Sequence, residues 1–166
     1  MIILGIDPGT RVAGYGIINK QSHNLFTLID YGCIRPPTKM KLTDRYHVIF
    51  QAIQELIDRY QPEVLAIETQ YVRHNPQSAI KLGMARGVII AASKDLGIPI
   101  FEYTPSKVKL AIVGNGKASK EQVQGMVKYL LQLPSLPEPH DAADALALAI
   151  CHAHALNLRP ELTSEI

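Results

Sequence analysis

Residues 2–7 read Ile-Ile-Leu-Gly-Ile-Asp, and residues 64–68 read Val-Leu-Ala-Ile-Glu. Each stretch is a short apolar run that ends in an acidic residue, Asp7 or Glu68. Short apolar runs of this kind are typical of strands buried inside a sheet. The sequence therefore predicts two buried strands, each carrying a carboxylate at its carboxyl end.

The rest of the chain places helices around these strands. Residues 13–19 and 25–34 are apolar and β-rich, and with residues 2–7 they predict an antiparallel meander. A further strand is predicted at residues 98–103. Apolar residues at helical spacing, proline and glycine punctuation and polar loops predict helices at residues 42–60, 78–96, 105–113, 120–131 and 141–156. This order predicts an α/β fold with a mixed five-stranded sheet flanked by helices.

The predicted helix at residues 78–96 is rich in small residues, including Gly83, Ala85, Gly87, Ala91 and Ala92. Each glycine inside a helix costs about 1 kcal/mol relative to alanine. We therefore expect these residues to permit close approach, either by a neighbouring element or by another subunit.

The bulk composition indicates one globular domain. The chain has 166 residues, of which 47% are hydrophobic and 19% are charged. We predict one domain over residues 1–157 and a disordered tail over residues 158–166. No apolar run approaches the roughly 20 residues that span a bilayer, and the N-terminus resembles a buried strand more than a signal peptide. Only two cysteines are present, which favours a reducing, cytoplasmic location over a disulfide framework.

Positive charge is unevenly distributed along the chain. The net charge is only +2, but residues 70–94 and 103–120 contain no acidic residue. Such one-sided stretches are typical of surfaces that bind a polyanion, although lysines also serve solubility. The basic residues in these two stretches are Arg73, Lys81, Arg86 and Lys94, and Lys107, Lys109, Lys117 and Lys120.

Four carboxylates form the candidate active site. If the strands that carry Asp7 and Glu68 are neighbours, the two side chains lie roughly 5 Å apart. Two close carboxylates repel each other unless a cation joins them, and oxygen ligands select hard cations such as Mg²⁺ or Mn²⁺. Asp141 and Asp144 are three residues apart in the first turn of the last predicted helix and so share one face. The four could hold two metal ions for an in-line phosphoryl displacement.

Each acid also has a structural interpretation. Asp7 precedes Pro-Gly and could start a turn, and Glu68 could be an exposed strand end. Asp141 could be an N-cap, with Asp144 interacting with the helix dipole.

Other candidate sites are weaker. The group His140, Cys151, His152 and His154 lacks the spacing of a zinc site, although His140 could approach the edge of the carboxylates. No Walker loop is present, and residues 114–116 read as a mobile Gly-Asn-Gly turn.

Several motifs together resemble the RuvC family of bacterial Holliday junction resolvases. They are Gly-Ile-Asp-Pro-Gly-Thr at residues 5–10, Gly-Tyr-Gly at 14–16, Ile-Glu at 67–68, Ser-Ala-Ile-Lys-Leu-Gly-Met-Ala-Arg-Gly at 78–87, and Asp-Ala-Ala-Asp-Ala-Leu-Ala at 141–147. The resemblance runs from residue 1 to about 155. It implies a ribonuclease H-like fold and a homodimer that binds a four-way DNA junction in homologous recombination and DNA repair. It also implies symmetric nicking of two opposing strands, which leaves 5′-phosphate and 3′-hydroxyl ends.

The resemblance also assigns residues and partners. The family's four acids fall on Asp7, Glu68, Asp141 and Asp144, which would hold Mg²⁺, two ions per subunit, with Mn²⁺ as a substitute. Some members carry histidine at the third position, where this chain has Asp141. Tyr71 matches an aromatic position that is phenylalanine in the best-known members, and an aromatic ring there can stack on an unpaired base at about 1–3 kcal/mol. The RuvA–RuvB branch-migration complex is the implied protein partner. We expect the following residues to contact DNA: Tyr71, Arg73, Lys81, Arg86, Lys107, Lys109, Lys117 and Lys120.

Three alternative functions follow from the same residues. A ribonuclease H-like nuclease could act on RNA or on other branched DNA. The Asp-Pro-Gly-Thr opening also occurs in actin-like ATPases, although 166 residues is short for two such lobes. A junction-binding protein without catalysis would retain affinity after loss of the four acids.

Overall fold

A computed structural model of the protein describes residues 1–22, 25–69, 76–158 and 165–166. These residues form five strands and five helices in the predicted order. The strands are β1 (Ile2–Asp7), β2 (Ala13–Lys20), β3 (Phe26–Ile34), β4 (Val64–Glu68) and β5 (Ile100–Tyr103). The helices are α1 (Leu42–Tyr60), α2 (Pro76–Asp95), α3 (Pro105–Val113), α4 (Lys120–Leu130) and α5 (His140–Leu158).

The strands form one mixed sheet in the order β3-β2-β1-β4-β5. β2 is antiparallel to both β1 and β3, whereas β4 is parallel to β1 and to β5. Four strands therefore run in one direction, and they end on the same side of the sheet at Asp7, Ile34, Glu68 and Tyr103. We call this side the carboxyl edge. The predicted mixed five-stranded sheet is confirmed.

Helices cover both faces of the sheet because successive strand residues point to opposite sides. On one face Leu4, Ile6 and Leu65 pack among apolar residues of α1 and α2. On the other face Ile3 and Ala66 pack among residues of α3, α4 and α5. No helix in the described ranges is long and apolar enough to cross a membrane.

Helix α5 contacts the sheet backbone directly, and three glycines make this possible. A Cβ atom added to Gly5 would lie 2.0 Å from the carbonyl oxygen of Ala145. One added to Gly14 would lie 1.9 Å from the carbonyl oxygen of Asp141, and one added to Gly16 would also meet the α5 backbone. Any side chain at these positions would push α5 away, so the glycines set its distance from β1 and β2.

Some predicted boundaries differ from those observed. Helix α2 begins at Pro76, two residues earlier than predicted. Proline suits the first turn of a helix, because backbone N–H groups there have no hydrogen-bond partner within the helix. Strand β5 begins at Ile100 and not at residue 98, because Pro99 cannot donate a ladder hydrogen bond.

The predicted tail, residues 158–166, is described at its two ends. Residue 158 closes α5. The amide of Ile166 donates to the carbonyl oxygen of Ile100 at 3.0 Å. Lys94 Nζ donates to Glu165 at 2.7 Å, so the last two residues lie beside β5 and α2.

Candidate active site

Asp7 and Glu68 lie on neighbouring strands at the carboxyl edge. Ile6 is paired with Ile67 in the parallel β1–β4 ladder, so the next residue on each strand is a carboxylate. By strand alternation both side chains belong to the sheet face that carries Ile3 and Ala66, which is the face that α5 covers. The two strands are neighbours, which is the condition on which the predicted proximity of Asp7 and Glu68 depends.

Asp141 and Asp144 lie in the first turns of α5, which begins at His140. The amides of Ala142 and Ala143 bond to the carbonyl oxygen of Pro139, so Asp141 lies within the helix. The interpretation of Asp141 as an N-cap is therefore wrong. Contact between Gly14 and the backbone of Asp141 places this end of α5 over β2, beside the end of β1.

The four carboxylates interact electrostatically. Burial raises the pKa of Asp7 to about 8, and repulsion from Glu68, Asp144 and Asp141 adds to the effect, while Lys120 opposes it. Burial and then Asp144 also raise the pKa of Glu68. One acid from each of two strands and two from a helix thus form a single, electrostatically coupled cluster of carboxyl groups.

Two of the predicted lysines reach this cluster. Lys120 Nζ donates to Asp144 Oδ2 at 3.1 Å, and this hydrogen bond raises the pKa of the lysine. Lys120 is the first residue of α4, where the Ser119 side chain forms an N-terminal capping box with Gln122. The charge of Lys109 on α3 opposes the rise in the pKa of Glu68, so Lys109 lies within electrostatic range of that acid.

The remaining predicted contacts lie elsewhere. Lys107 Nζ lies 5.0 Å from the centre of the Tyr103 ring, and Lys117 is in the loop before α4. Lys81 is exposed on α2, whereas Arg86 forms an ion pair with Glu102 of β5. Tyr71 and Arg73 lie outside the described residues.

His140, Cys151, His152 and His154 do not form one group in the structure. His140 is exposed at the start of α5. His152 is buried, with Nδ1 2.6 Å from the Tyr103 hydroxyl, and burial lowers its pKa to about 4. Cys151 is buried and His154 contacts the Phe26 ring, so these α5 side chains belong to the core.

Two residues beside the site were missed in the sequence. Cys33 lies near the end of β3, and its thiol is close enough to Asp141 and Asp7 for both to raise its pKa, although burial is the larger cause. Arg45, in the first turns of α1, donates to the carbonyl oxygen of Thr10 in the loop after Asp7. Strand order and helix packing bring both residues to the site, and neither can be read from a local sequence pattern. The one signal in the sequence is the scarcity of acidic residues around them.

The donor set suits a hard divalent cation, because all four side chains offer carboxylate oxygens. Within residues 1–22, 25–69, 76–158 and 165–166, however, no three acidic, cysteine or histidine groups already stand at coordinating positions. One of the four, Asp144, is hydrogen-bonded to Lys120 instead. The acids are near enough to perturb one another, and a bound cation would offset their mutual repulsion.

Comparison with known proteins identifies the family. The family model described as crossover junction endodeoxyribonuclease RuvC matches residues 3–152. The chain belongs to the RuvC family. A relative in Protochlamydia amoebophila named crossover junction endodeoxyribonuclease RuvC is 61% identical over 153 residues, which cover 92% of this chain and 90% of that protein.

Solved RuvC structures confirm the ribonuclease H-like fold. RuvC of Thermus thermophilus in complex with a Holliday junction substrate superposes with a TM-score of 0.94 at 31% identity, covering 100% of this chain and 99% of that one. A second T. thermophilus RuvC structure gives a TM-score of 0.89 at 31% identity, with 100% of both chains covered. RuvC nucleases are metal-dependent, in agreement with the carboxylate cluster described above.

Proposed function

We propose that this chain is a Holliday junction resolvase that cuts two opposing strands of a four-way junction and leaves 5′-phosphate and 3′-hydroxyl ends. The observation that carries this proposal is the perturbation of Asp7 by Glu68, Asp144 and Asp141 at the carboxyl edge of a RuvC fold. The name and bound substrate of the T. thermophilus relative support the choice of a junction as substrate.

Asp7, Glu68, Asp141 and Asp144 are the proposed metal ligands and catalytic residues. The pKa of Asp7 lies near 8, so this carboxyl keeps its proton at neutral pH and releases it when a cation binds. Binding should therefore strengthen as the pH rises toward about 8. We propose Mg²⁺, two ions per subunit, with Mn²⁺ as a substitute, because the ligands are all oxygens. When bound, these ions would lower the pKa of the attacking water and stabilise the leaving oxygen.

Lys109 and Lys120 supply positive charge beside the acids. Lys120 lies in hydrogen-bonding contact with Asp144, and Lys109 acts on Glu68. Both ammonium groups are therefore placed to contact a phosphate or to stabilise charge that develops during cleavage. For the remaining predicted contacts, Tyr71 would stack on an unpaired base, and Arg73, Lys81, Arg86, Lys107 and Lys117 would contact the DNA backbone.

A second copy of the chain is the proposed partner of α2. Ile80 and Met84 are exposed by 64% and 50%, and Gly87 follows on the same helix face. A Cβ added to Gly83 or Gly87 would meet nothing within 4 Å in this chain. An apolar stripe with open glycines suits close packing against another helix, and a homodimer would present two sites at the fixed spacing that a four-way junction requires.

We further infer a cytoplasmic location, because the proposed substrate is chromosomal DNA and both cysteines are free thiols. The RuvA–RuvB branch-migration complex is the proposed protein partner.

Cleavage by the Asp7→Asn variant tests the proposal. The wild type with Mg²⁺ should cut a labelled four-way junction in preference to linear duplex or RNA–DNA hybrid. Asp7→Asn should bind the junction and fail to cut it, whereas Asp58→Asn, the same change at an exposed position of α1, should cut normally. Equal cutting by Asp7→Asn would contradict the metal site, and preference for the hybrid would contradict the junction as substrate.

A further inference from the structure

Four basic residues outside the two acid-free stretches at 70–94 and 103–120 flank the β2–β3 hairpin, one before β2 and three after β3. Residues 8–29 and 31–43 contain no acidic residue, so Asp30 is the only acid between Asp7 and Asp44. Asp30 accepts hydrogen bonds from the hydroxyls of Tyr15 and Tyr60, which satisfy its carboxylate within the fold. The cations of this region that are exposed beyond the ends of the strands are Arg11, Arg35, Lys39 and Lys41, which we call the β3–α1 basic surface.

This surface lies at the carboxyl edge, beside the acids. Asp7 is paired with Gly14, and Gly14 is paired with Cys33, so the end of β3 is two strands away from Asp7. Arg35 follows Cys33 by two residues, and the Cys33 thiol senses both Arg35 and Asp141. Two strand spacings amount to about 10 Å.

Arg45 connects the two loops that carry these cations. Its guanidinium donates to the carbonyl oxygen of Thr10, which places the first turns of α1 against the loop after Asp7. Arg11 is the next residue in that loop, and Lys39 and Lys41 immediately precede α1. In the part of the chain that the structure describes, none of the four cations forms an ion pair, so their charge is available to a ligand.

The lysines that interact electrostatically with the acids lie on the opposite flank. Lys109 is on α3, which follows β5, and Lys120 is on α4. β3 and β5 are the two outer strands of the sheet, with β2, β1 and β4 between them. Positive charge thus lies on both sides of the carboxylates, along one edge of the sheet.

We propose that Arg11, Arg35, Lys39 and Lys41 bind the phosphate backbone of the strand being cut, on the β3 side of the scissile phosphate. A separation of about 10 Å corresponds to roughly three nucleotides at about 3.4 Å per nucleotide. We assign these contacts to phosphates, because most hydrogen bonds between proteins and DNA go to phosphate and sugar oxygens. The identity of the ligand as DNA rests on the proposed function.

Salt-dependent binding tests this surface. We would compare the wild type with the triple variant Arg35→Gln, Lys39→Gln, Lys41→Gln, using a fluorescent four-way junction in metal-free buffer over a range of salt concentrations. Each lost phosphate contact reduces the magnitude of the slope of log association constant against log salt concentration by about 0.9. The magnitude of the slope should therefore decrease by about 2 to 3 in the triple variant. Its affinity at low salt should decrease by about tenfold or more. The matched control, Lys20→Gln, Arg59→Gln, Lys128→Gln, removes the same charge away from the carboxyl edge.

Neutral methylphosphonates would locate the contact. Placed about three nucleotides from the cut on one side, they should weaken binding of the wild type and have a much smaller effect on the triple variant, which keeps only Arg11 of the four cations. Equal loss of slope in the triple variant and the control would overturn the proposal, as would equal methylphosphonate effects in both proteins. Failure of the proposed function would appear separately, in the wild type alone, as an absence of preference for junctions over duplex.

Discussion

Asp7 is the carboxylate of the site with the pKa raised to about 8. Its pKa is about 8 in the folded protein and 3.8 in an unperturbed carboxyl. Below the lower value the carboxyl is protonated in both the folded and the unfolded chain and has no effect on stability. Between the two values the unfolded chain ionises first, so the folded state loses stability as the pH rises, and the loss is complete above about 8.

Asp7→Asn should therefore stabilise the metal-free protein at high pH. Each unit of pKa shift corresponds to about 1.4 kcal/mol at fixed structure, and relaxation and water entry at the carboxyl edge reduce that penalty. We therefore expect the free energy of unfolding near pH 8 to rise by about 1–3 kcal/mol, with no change near pH 4. Chemical denaturation in the presence of a chelator measures this difference. Asp58→Asn provides the control, since it removes a carboxylate that is exposed on α1. A variant no more stable than the wild type at pH 8 would show that ionised Asp7 bears no penalty from burial or from repulsion by the other acids.

At the scale of elements, the glycines of β1 and β2 determine where the carboxylates of α5 lie. Gly14 contacts the backbone of Asp141 itself, so a methyl group at Gly14 must move either β2 or the start of α5. The Asp141 side chain would move with the helix. A change in a residue without functional groups should thus affect the active site.

Gly14→Ala should reduce both stability and cleavage. Overpacking of this kind costs about 1–3 kcal/mol, and displacement of Asp141 should lower the cleavage rate further than the stability loss explains. Gly125→Ala in α4 is the matched control, because a Cβ there meets nothing within 4 Å. The control should gain up to about 1 kcal/mol from helix propensity and cut normally. Denaturation curves and cleavage rates of a four-way junction measure the two effects, and full activity of Gly14→Ala would contradict the role given to this contact.

The bounds of helices and strands depend on local sequence patterns and could be predicted from the sequence. The packing of one element against another could be predicted less well. Helix α1 has the predicted bounds, because its apolar residues recur at helical spacing up to Tyr60. Asp7 and Glu68 could be placed at strand ends for a similar reason. The approach of α5 to the sheet could not be predicted, because Gly5, Gly14 and Gly16 show only a weak strand pattern until the packing partner is known. Cys33 and Arg45 reach the site through strand order and helix packing, which no local pattern specifies.

At the scale of the whole molecule, one chain carries one cluster of acids, whereas symmetric cleavage of a junction requires two cuts. The exposed stripe of α2, comprising Ile80, Gly83, Met84 and Gly87, is the surface on which we place the second copy. A charge introduced into this stripe would be buried against an apolar partner, which is costly without a compensating ion. Dimerisation should therefore be sensitive to a single substitution here.

Met84→Glu should convert a dimeric wild type into a monomer at the same protein concentration, as measured by sedimentation velocity. Tyr129→Glu is the control, because Tyr129 is an aromatic residue on α4 that is 77% exposed, and it should leave the dimer intact. Loss of the dimer should also uncouple the two cuts, since a monomer that binds a junction presents one set of acids. On a supercoiled plasmid that extrudes a cruciform, the variant should accumulate nicked circles, while the wild type and the control should produce linear molecules from paired cuts. A variant that stays dimeric would contradict the assignment of α2 as the dimer interface. A monomer that still makes paired cuts would show that a preformed dimer is not required for them.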